Sequence, residues 1–269
     1  MENRYGKLAS RVYHLDKPVG RSFGDIEFYQ DRLKCCSGPI LEPAVGNGRV
    51  YIPLLEAGFH IEGFDASDDM LDYCRSESET RNLSPTLSCQ TFSEFRSTTV
   101  FDAIIMPAGS FQLVTQVDAA RELLRKFYDH LVPGGRLILD IDNMKGLMET
   151  SGTMRRWQHS ERELLTLTGS PPEIDYVHQT SLSILRYEHW KDGALVATEI
   201  DLFHLRWWGI NELTLALKDA GFHNVSVSGD YRPGKPLTNE DLVFSFEAQR
   251  PLQTSSYVSP DQTGSDVGN

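Results

Sequence analysis

Two acids and two glycines near the start of the chain have types and spacing that suit a cationic, nucleoside-like ligand. Glu42 precedes Gly46 and Gly48, and Asp65 follows the glycines. Because glycine has no Cβ, a turn built on it lets the backbone lie against a ligand. An acid about 20 residues beyond such a turn accepts hydrogen bonds from ribose hydroxyls. A carboxylate at the position of Glu42 repels a pyrophosphate and attracts a positive charge.

The elements around these residues are those of an alternating α/β chain. The apolar run Pro39–Leu41 predicts a strand buried on both faces, and Val50–Ala57 has helical spacing. His60–Phe64 predicts the next strand. Further helices and strands alternate after Asp65, and their predicted ranges are 67–81, 86–90, 101–106, 118–131 and 136–141. This order predicts a Rossmann-like, seven-stranded, mostly parallel sheet with helices on both faces.

The pattern changes in the second half of the chain. Residues 145–208 contain two strand-like runs separated by Lys191-Asp192-Gly193, and Asp-Gly between such runs is a strong hairpin signal. We expect an antiparallel β insertion here, after the fifth strand of the main sheet. Val225–Val227 and Leu242–Phe246 then complete that sheet, the last strand being antiparallel.

With these elements in place, the segment LEPAVGNGR (residues 41–49) resembles the first motif of class I S-adenosylmethionine-dependent methyltransferases. The segments FDAII and LVPGGRLILD are similar to the fourth and fifth motifs of that family. S-adenosylmethionine carries a sulfonium and an ammonium but no phosphate, which agrees with an acid ahead of the glycines. The resemblance implies this cofactor and an S-adenosylmethionine-dependent methyltransferase.

Other segments are similar to a subgroup that acts on small molecules. FDAIIMPAGSFQLV, YHLDKP, RYEHW and HLRWW resemble aminosugar and glycine-type N-methyltransferases, which carry a β-rich lid. The resemblance implies in-line displacement of the methyl group by a nitrogen or oxygen of a small-molecule acceptor. It also implies an N-terminal lid segment (1–24) and a methyltransferase domain (25–250) with the substrate lid at about 145–208. Residues 251–269 are rich in Ser, Thr, Gly, Gln and Asp with few apolar residues, which predicts a disordered tail.

The resemblance assigns the cofactor contacts to the loops after the predicted strands. Asp65 would hold the ribose, Ala66 and Met70 would flank the adenine, and Thr91 stands where relatives often have an acid. The full set of expected cofactor residues is Tyr13, Glu42, Pro43, Ala44, Gly46, Asn47, Gly48, Arg49, Asp65, Ala66, Met70, Thr91, Phe92, Met106, Pro107 and Phe111.

The residues that would bind or activate the methyl acceptor are expected in the predicted lid and in the loop after the fourth strand. A neutral amine needs positioning, whereas a hydroxyl needs a general base. Tyr13, His204 and Gln112 are the catalytic candidates, although ordinary hydrogen bonding also accounts for a histidine in a strand. Expected substrate-binding residues are Ser110, Gln112, Asp142, Arg186, Arg206 and Trp207. If Trp207 and Trp208 continue a strand, they point to opposite faces and at most one of them lines the pocket.

Composition argues against nucleic-acid, metal and membrane partners. The formal net charge of −12 argues against a nucleic-acid partner, and the loop after the fourth strand lacks an N/D-P-P-Y box. The four cysteines have no CxxC spacing, so no metal site is expected. No apolar run reaches membrane-spanning length, and we expect a cytoplasmic protein with a small-molecule substrate and no membrane partner. A homodimer is compatible with the sequence.

Two alternatives remain to be weighed against a methyltransferase. A nicotinamide-dependent oxidoreductase would have a third glycine where Tyr51 stands, and a Tyr-x-x-x-Lys pair after the fourth strand. A non-catalytic, cofactor-binding scaffold of the same fold is the other alternative. The intact set of Glu42, Gly46, Gly48 and Asp65 disfavours it.

Overall fold

The computed structural model describes residues 5–148 and 152–252. The predicted tail at 251–269 therefore lies almost wholly outside the described residues. In chain order the elements are α1 (Lys7–Asp16), α2 (Asp25–Leu33), β1 (Ile40–Pro43), α3 (Tyr51–Glu56), β2 (Ile61–Asp65), α4 (Asp68–Thr80), β3 (Thr86–Cys89), β4 (Phe101–Met106), a 3₁₀ helix (Ser110–Leu113), α5 (Val117–Asp129), β5 (Leu131–Asp142), α6 (Met144–Met148), β6 (Thr153–Ser160), β7 (Glu163–Gly169), β8 (Glu173–Asp175), β9 (Thr180–Lys191), β10 (Ala194–Arg206), α7 (Ile210–Asp219), β11 (His223–Gly229) and β12 (Val243–Gln249).

Within the described ranges, seven strands form one sheet, sheet A, in the order β11-β12-β5-β4-β1-β2-β3. The strands β1 to β5 pair in parallel, and β12 is antiparallel to both of its neighbours. The order changes direction between β1 and β4, so the carboxyl ends of these strands open a crevice where an α/β sheet binds its ligand. The predicted fold is confirmed.

Helices cover both faces of sheet A. On one face, α2, α3 and α4 pack side chains such as Tyr29, Leu54 and Leu71 against Ile105 and its neighbours. On the other face, α5 and α7 pack against Ile104 and the residues around it. Ile104 and Ile105 are adjacent in sequence and point to opposite faces, and both are fully buried. This is why the strands are continuously apolar.

The remaining strands form a second sheet, sheet B, which is antiparallel and has the order β10-β9-β7-β6, with β8 beside β9. Asp192 and Gly193 have φ values of 50° and 78° and make the turn between β9 and β10. This is the geometry of the predicted two-residue hairpin. Helix α1 packs on one face of sheet B, where Leu8, Ala9 and Val12 meet Leu165, Leu167 and Tyr187.

Two segments differ from what their sequences indicate. Pro133-Gly134-Gly135 is typical of a turn, yet it lies within β5, whose pairing with β4 is irregular between Phe101 and Ala103. Gly134 accommodates the irregularity with a φ of 84°. Residues 1–24 showed little periodicity, yet Lys7–Asp16 is helical. The few apolar residues of α1 face sheet B, a partner that is remote in sequence.

None of the helices in residues 5–148 and 152–252 is long and apolar enough to cross a membrane.

Candidate functional site

The glycine turn after β1 has one glycine that faces open space and one that packs against helices. A Cβ built on Gly46 would have no atom within 4 Å, whereas a Cβ on Gly48 would lie 2.7 Å from Cys74 Sγ and 2.9 Å from Ile52 Cδ1. Both residues have positive φ, at 57° and 83°. The two glycines therefore differ in role: Gly46 leaves room beside the backbone for a ligand, and Gly48 allows α3 and α4 to approach.

Glu42, at the end of β1, is a buried carboxyl with unused hydrogen-bonding capacity. Its side chain is 3% exposed, and Oε2 has no hydrogen-bond partner among the described residues. Burial raises the pKa of Glu42 well above its ordinary value, with Arg49 opposing that rise. A buried acceptor of this kind costs free energy unless something pairs with it. Glu42 is thus suited to a cationic group that enters from the cleft.

Asp65, at the end of β2, joins the glycine turn to the start of α4. Its Oδ2 accepts from Gly46 N at 2.9 Å, and its Oδ1 accepts from Ser67 N at 2.9 Å. Burial raises the pKa of Asp65, and the hydrogen bonds from the Ser67 and Gly46 amides oppose that rise. Each oxygen keeps a lone pair, so the carboxylate can also receive two hydroxyls of a diol.

The start of α4 and the loop after β3 flank Asp65. Ser67 caps α4 by accepting from Met70 N at 3.2 Å, and the Met70 side chain is 2% exposed. Thr91 Oγ1 lies 3.0 Å from Ser93 Oγ, 2.8 Å from Glu94 Oε2 and 3.2 Å from Glu94 N. These bonds use the donor and both lone pairs of the hydroxyl. They leave it no lone pair for the adenine amino group, which corrects the expected Thr91 contact.

The acceptor end of the crevice is formed by the loop after β4 and the end of β5. Gln112, which is 3% exposed, accepts from Asp142 N through Oε1 at 2.7 Å. Gly109 has a φ of 70°, and a Cβ there would lie 2.9 Å from Gln112 Oε1 and 3.1 Å from Asp142 Oδ2. Asp142 itself is exposed. Gln112 therefore fixes the loop against β5 and leaves the Asp142 carboxylate open to the crevice.

Helix α1 closes the crevice from the N-terminal side. Asn47 Nδ2, in the glycine turn, donates to Lys17 O at 2.9 Å and lies 3.3 Å from His14 Nδ1. Tyr13 packs edge-on against Tyr5 with ring centroids 5.5 Å apart. Lys17 Nζ lies 5.2 Å from the centre of the Tyr13 ring. Asn47 thus holds the end of α1, and with it Tyr13, over the turn.

Comparison with known proteins agrees with this geometry. Residues 40–135 match the family model described as a methyltransferase domain. The chain is 28% identical over 198 residues to a glycine/sarcosine N-methyltransferase of Parasynechococcus marenigrum, covering 72% of this chain and 66% of that relative.

Two solved structures have the same fold. An S-adenosylmethionine-dependent methyltransferase from Clostridium acetobutylicum superposes with a TM-score of 0.73 at 16% identity, covering 90% of this chain and 97% of the other. The sugar N-methyltransferase KedS8 from Streptoalloteichus gives 0.70 at 17% identity, covering 90% and 92%. The matched domain contains the strands that carry Glu42, Gly46 and Asp65.

The chain carries a methyltransferase domain and has the class I methyltransferase fold. Its residues fit the cofactor at the points where a fit can be tested: Glu42 Oε2 is buried without a hydrogen-bond partner in the described part of the chain, and the Cα of Gly46 borders open space. The oxidoreductase and the scaffold receive no support from the comparisons.

Several expected cofactor residues of the methyltransferase lie in the protein interior. Arg49 donates to Arg21 O at 2.8 Å and pairs with Asp25, and its side chain is 5% exposed. Phe111 is fully buried in the core, with its ring centroid 5.5 Å from that of Trp208. Arg49 therefore holds together the segments around α2, and Phe111 packs in the core. Others lie at the strand ends and in the loops after them, where cofactor contact stays a prediction; these are Pro43, Ala44, Ala66, Phe92, Met106 and Pro107. Substrate contact by Ser110, in the loop after β4, also stays a prediction.

The structure corrects the placement of two predicted acceptor residues of the lid. Along β10, Glu199 contacts α1, so residues of even number in this strand point to the opposite face of sheet B. His204 lies on that opposite face. Arg186 pairs in register with Ile200, is exposed on the same outer face, and lies 3.1 Å from Glu188 Oε1. Neither side chain points toward α1 and the crevice.

Arg206 and Trp207 also differ from expectation. Arg206 is 3% exposed and donates to His178 O, Gln179 Oε1 and Glu212 Oε1 at 2.6, 3.0 and 2.8 Å. These bonds use both terminal nitrogens of the guanidinium, and Nε is buried, so the side chain is not open to a substrate carboxylate. Because β10 ends at Arg206, Trp207 and Trp208 do not alternate as strand residues. Both line one cavity of about 310 Å³.

Two residues of the crevice were missed in the sequence. Asp140, fully buried in β5, accepts from Ala108 N at 3.2 Å and from Tyr231 Oη at 3.0 Å, and so holds the loop after β4. Burial raises its pKa to about 6. Lys17 lies near Asp142, and burial lowers its pKa. An acid inside an apolar strand was the available signal for Asp140, whereas nothing local marked Lys17.

Proposed function

We propose that this methyltransferase transfers the methyl group of S-adenosylmethionine to an amine nitrogen of a small molecule. The observation that carries the proposal is Asp142, an exposed carboxylate at the end of β5 beside the loop after β4. An amine in water is mostly an ammonium ion, which such a carboxylate attracts. The glycine/sarcosine and sugar N-methyltransferases to which the chain is similar support a nitrogen acceptor.

The cofactor would be held by the groups at the ends of β1 and β2. Glu42 would face its cationic amino-acid part, Gly46 would lie beneath that part, and Asp65 would accept from the ribose hydroxyls. Met70 would pack against the adenine, since a thioether suits an aromatic edge. When bound, S-adenosylmethionine supplies a methyl carbon on a positively charged sulfur.

The chain's contribution to the reaction is alignment and the exclusion of water. Gln112 and Gly109 would fix the loop that positions the acceptor, and Tyr13 would cover the crevice from α1. Burial raises the pKa of Tyr13, with Arg49 opposing, so its hydroxyl stays protonated and acts as a donor. A hydroxyl acceptor would need a base, and Tyr13 is poorly suited to that task. Nitrogen is therefore the favoured nucleophile.

Location and assembly remain predictions. A cytoplasmic enzyme is expected from its use of a metabolite pool, and a homodimer is compatible with the fold. The N-terminal lid segment at 1–24, the methyltransferase domain at 25–250 and its substrate lid at about 145–208 also stand as proposals.

The test is a product screen with deuteromethyl-labelled S-adenosylmethionine. The acceptors are glycine, sarcosine and glucosamine, each paired with its hydroxyl counterpart, glycolate or glucose. Mass spectrometry should find one labelled methyl group on at least one amine and none on the hydroxyl compounds. Asp142→Asn should raise the KM for that amine about tenfold. Labelling of hydroxyl compounds alone, or of none of the panel, contradicts the proposal.

A further inference from the structure

Asp201 lies on the inner face of β10, between two points at which that strand touches the crevice. Two residues before it, Glu199 accepts from Leu8 N at 2.9 Å and from Ala9 N at 3.3 Å, at the start of α1. Strand β10 also contacts the 3₁₀ helix after β4, and Trp208, two residues beyond the end of β10, packs on Phe111 of that helix. Since alternate residues of a strand share a face, Glu199, Asp201 and Phe203 all point toward α1. The Asp201 carboxylate therefore lies above the span between α1 and the acceptor loop.

The carboxylate has hydrogen-bonding capacity that the protein leaves unused. Oδ2 of Asp201 is buried, and no residue in 5–148 or 152–252 forms a hydrogen bond with it. The residue as a whole is only half-buried. A buried carboxylate oxygen without a partner is costly, and the cost is offset when a cationic or N–H group arrives. Asp201 shares this property with Glu42 at the cofactor end.

The neighbours of Asp201 connect it to the cofactor side of the crevice. Its charge acts on the hydroxyl of Tyr5, whose pKa is raised well above its ordinary value chiefly by burial and also by Tyr13 and Asp201. Tyr5 packs edge-on against Tyr13, and its carbonyl accepts from Ser67 Oγ at 2.6 Å. Ser67 is itself bonded to Asp65. Tyr5 is thus joined to Asp65 through Ser67, and the charge of Asp201 acts on the Tyr5 hydroxyl.

We propose that Asp201 binds the acceptor's ammonium group and removes its proton before methyl transfer. This inference rests on the proposed amine acceptor. An N–H bond of the ammonium breaks, the proton moves to the Asp201 carboxylate, and the electron pair stays on nitrogen as the lone pair that attacks the methyl carbon. Asp201 becomes neutral and later returns the proton to water. Asp142 attracts the amine into the crevice, and Asp201 makes it nucleophilic.

The electrostatic surroundings of Asp201 suit a proton acceptor. The titratable groups that face it are Glu199, Tyr5 and Tyr187, and His204 lies on the other side of the same strand. Burial raises the pKa of Asp201, Glu199 raises it further, and the Leu202 amide and His204 oppose the rise. A raised pKa of the carboxyl lies closer to the pKa of an amine, and this makes proton transfer between them more efficient.

The test compares the wild-type enzyme with Asp201→Asn, on whichever amine of the panel the wild-type enzyme labels best. Asp201→Asn should lower kcat about 100-fold, in the range typical of general-base removal, and change KM less than threefold. The loss should shrink as the pH rises toward the pKa of the amine, because solution then supplies the free amine. Asp201→Glu, which keeps the carboxylate, should recover at least a tenth of the wild-type kcat.

Controls separate this role from a structural one. Asp72→Asn makes the same chemical change on the exposed surface of α4, where the side chain is 74% exposed, and should leave kcat unchanged. Binding of S-adenosylhomocysteine by calorimetry should be the same in Asp201→Asn and wild type, which shows that the variant is folded.

Three outcomes overturn the inference. If the wild-type enzyme labels an amine and Asp201→Asn keeps kcat within twofold at all pH values, Asp201 has no such role and the proposed function stands. If Asp201→Asn loses S-adenosylhomocysteine binding and Asp201→Glu recovers no activity, Asp201 is structural. If the wild-type enzyme labels no amine, the proposed function fails and this inference fails with it.

Discussion

The carboxyl edge of sheet A and the inner face of sheet B both line the crevice, but they are built in different ways. At the edge of sheet A, Glu42, Gly46 and Asp65 lie within one short segment, and the Gly46–Asp65 hydrogen bond joins residues 19 positions apart. On sheet B, Glu199 reaches α1 across 191 positions. The first region depends on local motifs, and the second depends on which distant segments come together.

This difference separates two tasks of the enzyme. On the proposed function, the edge of sheet A would bind the cofactor with a turn whose geometry is set by neighbouring residues. Sheet B and α1 would meet the acceptor with side chains that no local pattern specifies. The following predictions test this division, and they begin with the largest expected effect.

Gly48→Ala should destabilise the protein by about 2–5 kcal/mol, since its Cβ would overlap Cys74 and Ile52 and the left-handed backbone adds about 1–2 kcal/mol. The matched variant Gly46→Ala should lose only about 1–2 kcal/mol, the cost of the left-handed backbone, because its Cβ meets open space. It should, however, weaken S-adenosylhomocysteine binding more than Gly48→Ala does. Urea unfolding and calorimetry measure the two effects. Equal destabilisation by both variants would contradict the separate roles of the two glycines.

Asp65→Ala should weaken S-adenosylhomocysteine binding by roughly 2–3 kcal/mol, or about 30–150-fold, because a charged acceptor for two hydroxyls is lost. Calorimetric titration measures this directly. Glu199→Gln, on sheet B, is the comparison and should change cofactor affinity less than threefold. A similar loss in both variants would mean that the two regions do not divide the work.

Glu42 should make cofactor affinity depend on pH. Its pKa is raised by burial, and a cationic ligand favours its ionised form, so binding releases a proton. Affinity for S-adenosylhomocysteine should therefore rise with pH, by up to about tenfold per unit, until Glu42 is fully ionised. The folded, ligand-free protein also favours neutral Glu42, because burial raises its pKa. The free energy of unfolding should therefore decrease as the pH rises through that raised pKa. Glu42→Gln should remove the pH dependence of binding, and its persistence would contradict this account.

Glu199→Gln should have the smallest effect, a loss of about 1 kcal/mol in the free energy of unfolding. The carboxylate accepts from two amides at the start of α1, where negative charge is stabilising. Hydrogen exchange should show faster exchange in residues 7–16 and unchanged exchange in β1 and β2. Equal acceleration in both regions would show that α1 and sheet A are not independent.

The division also explains which features the sequence predicted. The strands of sheet A, the helix predicted over 67–81 and the Asp192-Gly193 hairpin follow from local patterns, and the structure has them. Glu42 and Asp65 are predicted as cofactor residues for the same reason. Each lies at the end of its own strand and next to the glycine turn.

The features that escaped prediction depend on contacts between distant residues. Arg206 was expected to bind substrate, but it is held by His178, Gln179 and Glu212, which no spacing rule connects to it. His204 was expected to face the crevice, and whether it does depends on which face of β10 meets α1. That face is decided by packing between sheet B and a helix about 190 residues earlier.

The most direct test of the central claim is a calorimetric titration of the wild-type protein with S-adenosylhomocysteine, alongside NAD. A crevice in which Glu42 faces a cationic amino-acid group and Asp65 a ribose predicts one site per chain for S-adenosylhomocysteine and no measurable heat with NAD. Binding of NAD, or the absence of S-adenosylhomocysteine binding by the folded protein, would contradict it.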